Sequence, residues 1–230
     1  MDYTYLDRNV AEVRRKIDEA AERSEFDKQV RMVAAVKYAD MGEINYLCDK
    51  LGVRDIGENR VQQLLEHYEG LNDKSVNIHF IGTLQTNKVK YIVDKVCMIH
   101  SVDSQRLAAE INKQAAKRGL VIDVLVEINS GEEENKSGVS PKEAEEFCLA
   151  IKQFECLNLK GFMTMAPKCD KKEDYLKFFG ETYALALDIW EKKLHNIGRP
   201  ILSMGMSESF EEAVACGADT VRVGRSIFVK

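Results

Sequence analysis

Two short segments near the C-terminus carry the residues best suited to hold an anion: Leu202-Ser-Met-Gly-Met-Ser207 and Val221-Arg-Val-Gly-Arg-Ser226. Each is an apolar, β-type run that stops at a glycine with a hydroxyl residue close by. Glycine lets a backbone approach an anion and take up positive φ, and serine adds a side-chain donor. Beyond Ser207, residues 208 to 216 read as a short helix, with Glu211 and Glu212 in its first turn and Gly217 at its C-cap. Two strand ends and a helix N-terminus are the parts of a phosphate cradle on the last strands of a (β/α)8 barrel. Either segment alone reads equally well as a tight turn. Their joint occurrence favours a site.

The first expected strand, residues 31 to 38, supplies a complementary group. Lys37 follows Met32-Val-Ala-Ala-Val36, an apolar run that a barrel buries, so the lysine is expected at the top of the barrel, partly desolvated. Desolvation lowers the pKa of an amine, and a neutral amine can form a Schiff base with an aldehyde. A single lysine more commonly snorkels from a strand end into water. The phosphate cradle on the same rim changes that balance, because an amine and a phosphate site are the minimal kit for holding pyridoxal 5′-phosphate.

Other residues fit less demanding roles. Glu58 at a strand end suits either a general base or a cap for the following helix. His79 and His100 fall within strands and read as hydrogen-bonded structural residues. Lys88, Lys90 and Lys95 read as a solvated face, and Met163, Met165, Met204 and Met206 as core or as a soft pocket wall.

These groups need a scaffold that brings strand ends together. An opening amphipathic helix at 4 to 23 presents Val10, Val13, Ile17 and Ala20 or Ala21 on one face. Strands then follow at 31 to 38, 53 to 57, 77 to 82, 97 to 102, 121 to 128, 157 to 163, 200 to 203 and 219 to 223. The intervening segments read as helices at 41 to 51, 59 to 68, 86 to 94, 104 to 118, 141 to 153, 172 to 194 and 208 to 216. Such alternation implies a parallel sheet, and eight strands without a G-x-G-x-x-G after the first favour an α/β fold closed as a TIM barrel. No helix is expected after the last strand, and the opening helix is expected to fill that gap. The irregular segment from Asn129 to Pro141 follows the fifth strand and carries three consecutive acids, so it reads as a solvated loop or a lid.

Composition bounds the function. At 230 residues the chain can bury roughly 70% of its unfolded surface as one domain spanning 1–230. A net charge of −5 with mixed signs suggests neither a nucleic-acid nor a membrane partner. Six scattered cysteines show no metal-ligand spacing and read as reduced, mostly buried thiols. The N-terminus shows no targeting pattern and no stretch suits a membrane span, so a cytoplasmic protein is expected.

The ordered blocks Val33-Ala-Ala-Val-Lys37, Ile56-Gly-Glu-Asn-Arg-Val-Gln-Gln-Leu64 and His79-Phe-Ile-Gly-Thr-Leu-Gln-Thr-Asn-Lys-Val-Lys90 resemble a known family. So do His100-Ser-Val-Asp103, Val126-Glu-Ile-Asn129 with Glu134-Asn-Lys-Ser-Gly138, Gly161-Phe-Met-Thr164 and the two C-terminal motifs. The family is that of the pyridoxal phosphate homeostasis proteins, related to the N-terminal barrel of alanine racemase and to the fold-type III decarboxylases. The resemblance implies that Lys37 carries the cofactor as a Schiff base, that Asn59 lies near the pyridine ring and its 3′-oxygen, and that Arg222 faces the ring nitrogen. It implies a phosphate held by Ser207, Gly224 and Ser226 with the Met206 backbone, and less directly by Ser203. It further implies storage or delivery of pyridoxal 5′-phosphate with little turnover, through transient contact with apo-enzymes that use it. The chain departs from the family pattern at Val36, commonly serine, at Thr83, usually histidine, and at Arg225, usually small.

Two rival functions share these residues. A fold-type III racemase or decarboxylase would need a second acid-base group, normally supplied by another domain or subunit. A Schiff-base aldolase or sugar-phosphate isomerase would also use Lys37 and the cradle, but needs a positioned acid-base partner. Neither a catalytic residue nor a metal ligand is expected.

Overall fold

In the computed structural model, which describes residues 2–26, 28–131, 137–192 and 199–230, eight parallel strands close into a barrel. The strands are β1 (Arg31–Ala35), β2 (Asp55–Glu58), β3 (Asn77–Phe80), β4 (Met98–Val102), β5 (Ile122–Ile128), β6 (Leu157–Thr164), β7 (Ile201–Ser203) and β8 (Thr220–Val223). Pairing of β1 with both β2 and β8 makes the closure, with Ala34 opposite Ile56 on one side and Val223 on the other. The helices are α1 (Thr4–Glu22), α2 (Met41–Asp49), α3 (Val61–Gly70), α4 (Val89–Ile92), α5 (Gln105–Ala116), α6 (Ala144–Ile151), α7 (Lys172–Glu191), α8 (Phe210–Ala215) and α9 (Arg225–Phe228).

Local chemistry explains where elements start. Asp40 caps α2 by accepting from the Glu43 N–H at 2.8 Å while the Glu43 carboxylate accepts from the Asp40 N–H at 2.9 Å, a reciprocal capping box. α1 buries Leu6, Val10, Val13, Ile17 and Ala20, which decides between Ala20 and Ala21 for its inner face. The core lies between the strands and this shell of helices, where removing apolar surface from water supplies the driving force.

Three expectations change. The last strand is followed by a helix after all, the single turn α9, and α1 packs over both α8 and α9 instead of filling an empty position. The Asn9 amide donates to the carbonyls of Ile227 and Val229 at 3.0 and 2.8 Å, tying the two termini together. The first strand ends at Ala35, and Lys37 and Tyr38 form a turn beyond it. The expected helix at 86 to 94 is a 3-10 turn at Thr86–Lys88 running into α4.

The acid-rich centre of the segment after β5, residues 132–136, and the end expected for α7, residues 193–194, lie outside the described residues. The described ends of the first segment are joined: Val139 bridges to Ile128, its N–H donating to the Glu127 carbonyl at 2.8 Å. Of the six cysteines, only Cys48 and Cys148 are buried, so the expectation of mostly buried thiols is corrected. Burial pushes those two thiols up to about 11 and about 12. No helix among the described residues is long and apolar enough to cross a membrane.

Candidate functional site

Parallel closure puts all strand C-termini on one rim, and a cavity of about 440 Å³ opens there. Six of the eight residues expected at the site line it: Lys37, Asn59, Met206, Ser207, Arg222 and Gly224. A second cavity of about 410 Å³ shares Lys37, Tyr38 and Asn59 and extends to Arg60, Gln63 and Glu127.

Lys37 stands on the turn after β1. Its side chain is exposed, its Nζ lies 4.7 Å from the centre of the Tyr38 ring, and its carbonyl accepts from Gln63 Nε2 at 2.9 Å. The expected partial desolvation is therefore absent, because the strand ends two residues before the lysine and only Val36, fully buried, stays within the core. What the turn provides is reach, placing Lys37 at the edge of both cavities.

Gly205 has φ +90°, as a tight turn after β7 requires, and a Cβ there would lie 2.6 Å from that of Ala213. Gly224 has an ordinary φ of −123°. Its reason is space, since a Cβ would lie 2.8 Å from the Ala35 carbonyl oxygen. Between these glycines the Ser207 hydroxyl accepts from the N–H groups of Gly224 and Ser226, both at 3.3 Å. These converging donors lie at the N-cap and in the first turn of α9. Ser226 contributes its N–H here and its hydroxyl to the Ser207 carbonyl at 3.5 Å. Arg225 is exposed and paired with Glu208, so the added cation is already neutralised.

Arg222 is buried at the cavity floor. Its Nη1 donates to the carbonyl and the hydroxyl of Ser203, both at 2.7 Å, and its Nη2 to the Thr164 carbonyl at 2.9 Å. Burial pushes its guanidinium down to about 10, against the opposing pull of Glu127. Ser203 is fully buried and is not among the residues that line the cavity. Its hydroxyl also meets His100 Nδ1 at 3.0 Å, and His100 Nε2 meets His79 Nδ1 at 2.9 Å.

Asn59, on the loop after β2, has its Oδ1 buried without a hydrogen-bond partner among the described residues. An orphaned acceptor on a cavity wall calls for a donor from a ligand. Glu58 next to it is fully buried and bonded to His67 Nδ1 at 2.6 Å, its other oxygen unpartnered. It neither reaches the cavities nor caps α3, so both readings of this residue are corrected. Burial raises its pKa, with the His67 bond opposing.

Among the methionines, Met165 and Met206 line the cavity while Met163 and Met204 are core. Residues missed in the sequence include Tyr38 and Glu127. A carboxylate near the end of β5, after the apolar run Val124-Leu-Val126, was the available signal for Glu127, whose pKa burial raises. No group of three or more His, Cys, Asp or Glu among the described residues is placed to hold a metal ion.

A closed β/α barrel with Lys37 at the rim cavity, a buried Arg222 and the Gly-Ser segments of Ser207 and Gly224 beside it defines a class. That class is the barrel described as the alanine racemase N-terminal domain, whose family profile matches residues 6–230. The chain belongs to the pyridoxal phosphate homeostasis protein family. The member from Aquifex aeolicus is 43% identical over 177 residues, 77% of each chain, and that from Escherichia coli K12 is 32% identical over 225 residues, 96% of this chain and 94% of the other. Among solved structures, PipY of Synechococcus elongatus with pyridoxal phosphate bound superposes with a TM-score of 0.84 at 25% identity, covering 97% of this chain and all of that one. A D-threonine aldolase from Filomicrobium marinum, with a TM-score of 0.79 at 18% identity, shares the barrel fold. The curated relatives are named for cofactor homeostasis and not for a reaction.

Proposed function

We propose that this chain binds pyridoxal 5′-phosphate on the barrel rim and serves its intracellular homeostasis, holding the cofactor on Lys37 as a Schiff base and releasing it to apo-enzymes by transient contact. The observation that carries the reading is the convergence of Lys37, Ser207 and the buried Arg222 on one cavity. The groups present fit the cofactor. An aldehyde needs an amine, a phosphate needs the donors of Ser207, Gly224 and Ser226, and a pyridine nitrogen needs a donor such as Arg222. The unpartnered Asn59 Oδ1 suits the ring hydroxyl, and a floor of about 440 Å³ lies within the usual size of small-molecule sites.

Bound pyridoxal phosphate supplies an electron sink whose strength depends on a protonated ring nitrogen. Arg222 offers only donors there, and a cation beside the nitrogen disfavours its protonation. The residues of this chain therefore bind and orient without activating, which supports storage over racemase or decarboxylase chemistry. Residues 1–230 would act as one binding unit in the cytoplasm, a compartment consistent with free cysteines. The test is Lys37→Ala. Wild-type protein incubated with pyridoxal phosphate should show imine absorbance, fixed to position 37 by borohydride. The variant should fold normally, its lost side chain being exposed, and show no such band. A variant that kept the band unchanged would overturn the assignment.

A further inference from the structure

Five polar side chains from five different strands form a single file through the barrel interior. Asp55 opens β2 at the N-terminal end of the barrel, where its Oδ1 lies 3.0 Å from His79 Nε2. The file continues through His100 and Ser203 to Arg222 beneath the cavity, with successive distances of 2.9, 3.0 and 2.7 Å. His79, His100, Ser203 and Arg222 are all buried, and the Asp55 side chain is 18% exposed.

The chemistry of the ends fixes every proton between them. Arg222 only donates, so the Ser203 hydroxyl accepts its Nη1 proton. The single Ser203 proton then goes to His100 Nδ1, since the described residues give it no other acceptor. A neutral His100 with Nδ1 accepting carries its proton on Nε2 and donates to His79 Nδ1. His79 in turn carries its proton on Nε2 and donates to Asp55, which only accepts when ionised. Burial and the nearby His79, Arg222 and Arg31 hold the His100 imidazole far below its ordinary pKa, in keeping with a neutral ring. At the other end burial works against the Asp55 charge, but the bonds from His79 and Asn77 and the nearby Arg31 outweigh it and keep the carboxyl below its usual value.

We propose that Ser203, His100, His79 and Asp55 are positioning residues for Arg222: a one-directional hydrogen-bond chain that pins the guanidinium with a donor toward the cavity and so selects an unprotonated heteroaromatic nitrogen in the ligand. This deepens the pyridoxal phosphate reading and rests on it. None of the four lines either rim cavity, whereas Arg222 lines the first. With both Nη1 protons taken by Ser203 and one Nη2 proton by Thr164, the donors left for a ligand are the Nε proton and the second Nη2 proton. Full occupancy of Nη1 is what holds the guanidinium plane.

Two measurements test this. In the unloaded protein labelled with 15N-histidine, long-range 15N–1H correlation spectra at neutral pH should show His79 and His100 as neutral rings protonated on Nε2. A ring protonated on Nδ1, or an imidazolium at either position, would overturn the chain whether or not the cofactor binds. In the loaded protein, Ser203→Ala should raise the dissociation constant for pyridoxal phosphate about fivefold, the weight of one buried hydrogen bond. It should also shift the absorbance band of the bound cofactor, and Ser203→Thr should restore both. A folded Ser203→Ala with unchanged affinity and band would overturn the proposal. If that variant fails to fold, His100→Phe, which keeps a ring in the core and removes the acceptor facing Ser203, carries the same expectation and the same refutation. Wild-type protein that bound no pyridoxal phosphate would count against the function, while the histidine spectra would still decide the chain.

Discussion

Gly82 and Asn59 fit together only because position 82 has no side chain: a Cβ there would fall on the Asn59 carbonyl oxygen and lie 2.8 Å from its carbonyl carbon and Cα. The contact is with backbone, which cannot swing aside as a flexible side chain can. Gly82→Ala should therefore push the loop after β2 outward and carry the Asn59 amide off the cavity wall. Overpacking of this kind costs roughly 1 to 3 kcal/mol, so affinity for pyridoxal phosphate should fall about tenfold or more with a lowered unfolding temperature. Titration followed by the cofactor's absorbance checks it, and unchanged affinity would show that Asn59 contributes nothing to binding.

The cradle yields a second expectation. Ser207→Ala combined with Ser226→Ala removes two hydroxyls beside the converging N–H groups of Gly224 and Ser226. Hydrogen bonds to a charged acceptor contribute about 1.5 to 3 kcal/mol each, so the double variant should bind pyridoxal phosphate at least tenfold more weakly. Pyridoxal without its phosphate should bind wild type and variant alike. Equal weakening for both ligands would place the phosphate elsewhere.

Glu58 makes stability depend on pH in a definite direction. Burial raises its pKa above the ordinary 4.5, so the folded state holds this proton more tightly than the unfolded chain does. Its contribution is fully present below 4.5 and is lost as pH rises through the raised value. Glu58→Gln should remove that loss. Thermal unfolding of both proteins across the acid-to-neutral range should show the variant gaining on wild type as pH rises, and parallel curves would refute it.

Loaded protein incubated with L-alanine and other amino acids in deuterium oxide should exchange its cofactor attachment while leaving α-protons and chirality nearly untouched. The expectation follows from the proposed placing of a donor-only Arg222 at the ring nitrogen. Sustained turnover on the order of 1 per second or more would favour the racemase reading instead.

Much of this site is legible along the chain. Lys37 stands out because it follows five apolar or small residues, and Gly205, Ser207 and Gly224 because each lies where an apolar run stops. His79 and His100 are visible as lone polar groups within strands. The exposure of Lys37 was not visible, since whether β1 ends at 35 or 38 depends on pairing: its last bond to β2 sits at the Ala35 to Gly57 position. The pairing of Glu58 with His67 was equally hidden, because it needs α3 folded back against its own strand.

Alternation of strand and helix patterns, set by periodicities of two and 3.6, by itself determined a parallel β/α barrel and put Lys37, Ser207 and Gly224 on one rim. Those are local signals, each carried by neighbours in the chain. The tertiary structure alone decided which polar groups share the interior. Ser203 and His100 are 103 positions apart, and His100 and His79 are 21 apart, yet all meet within hydrogen-bond distance because closure turns the inward faces of separate strands onto one axis. Burial keeps water from these groups, so each finds its partner within the file that runs from Asp55 at one end to Arg222 at the other.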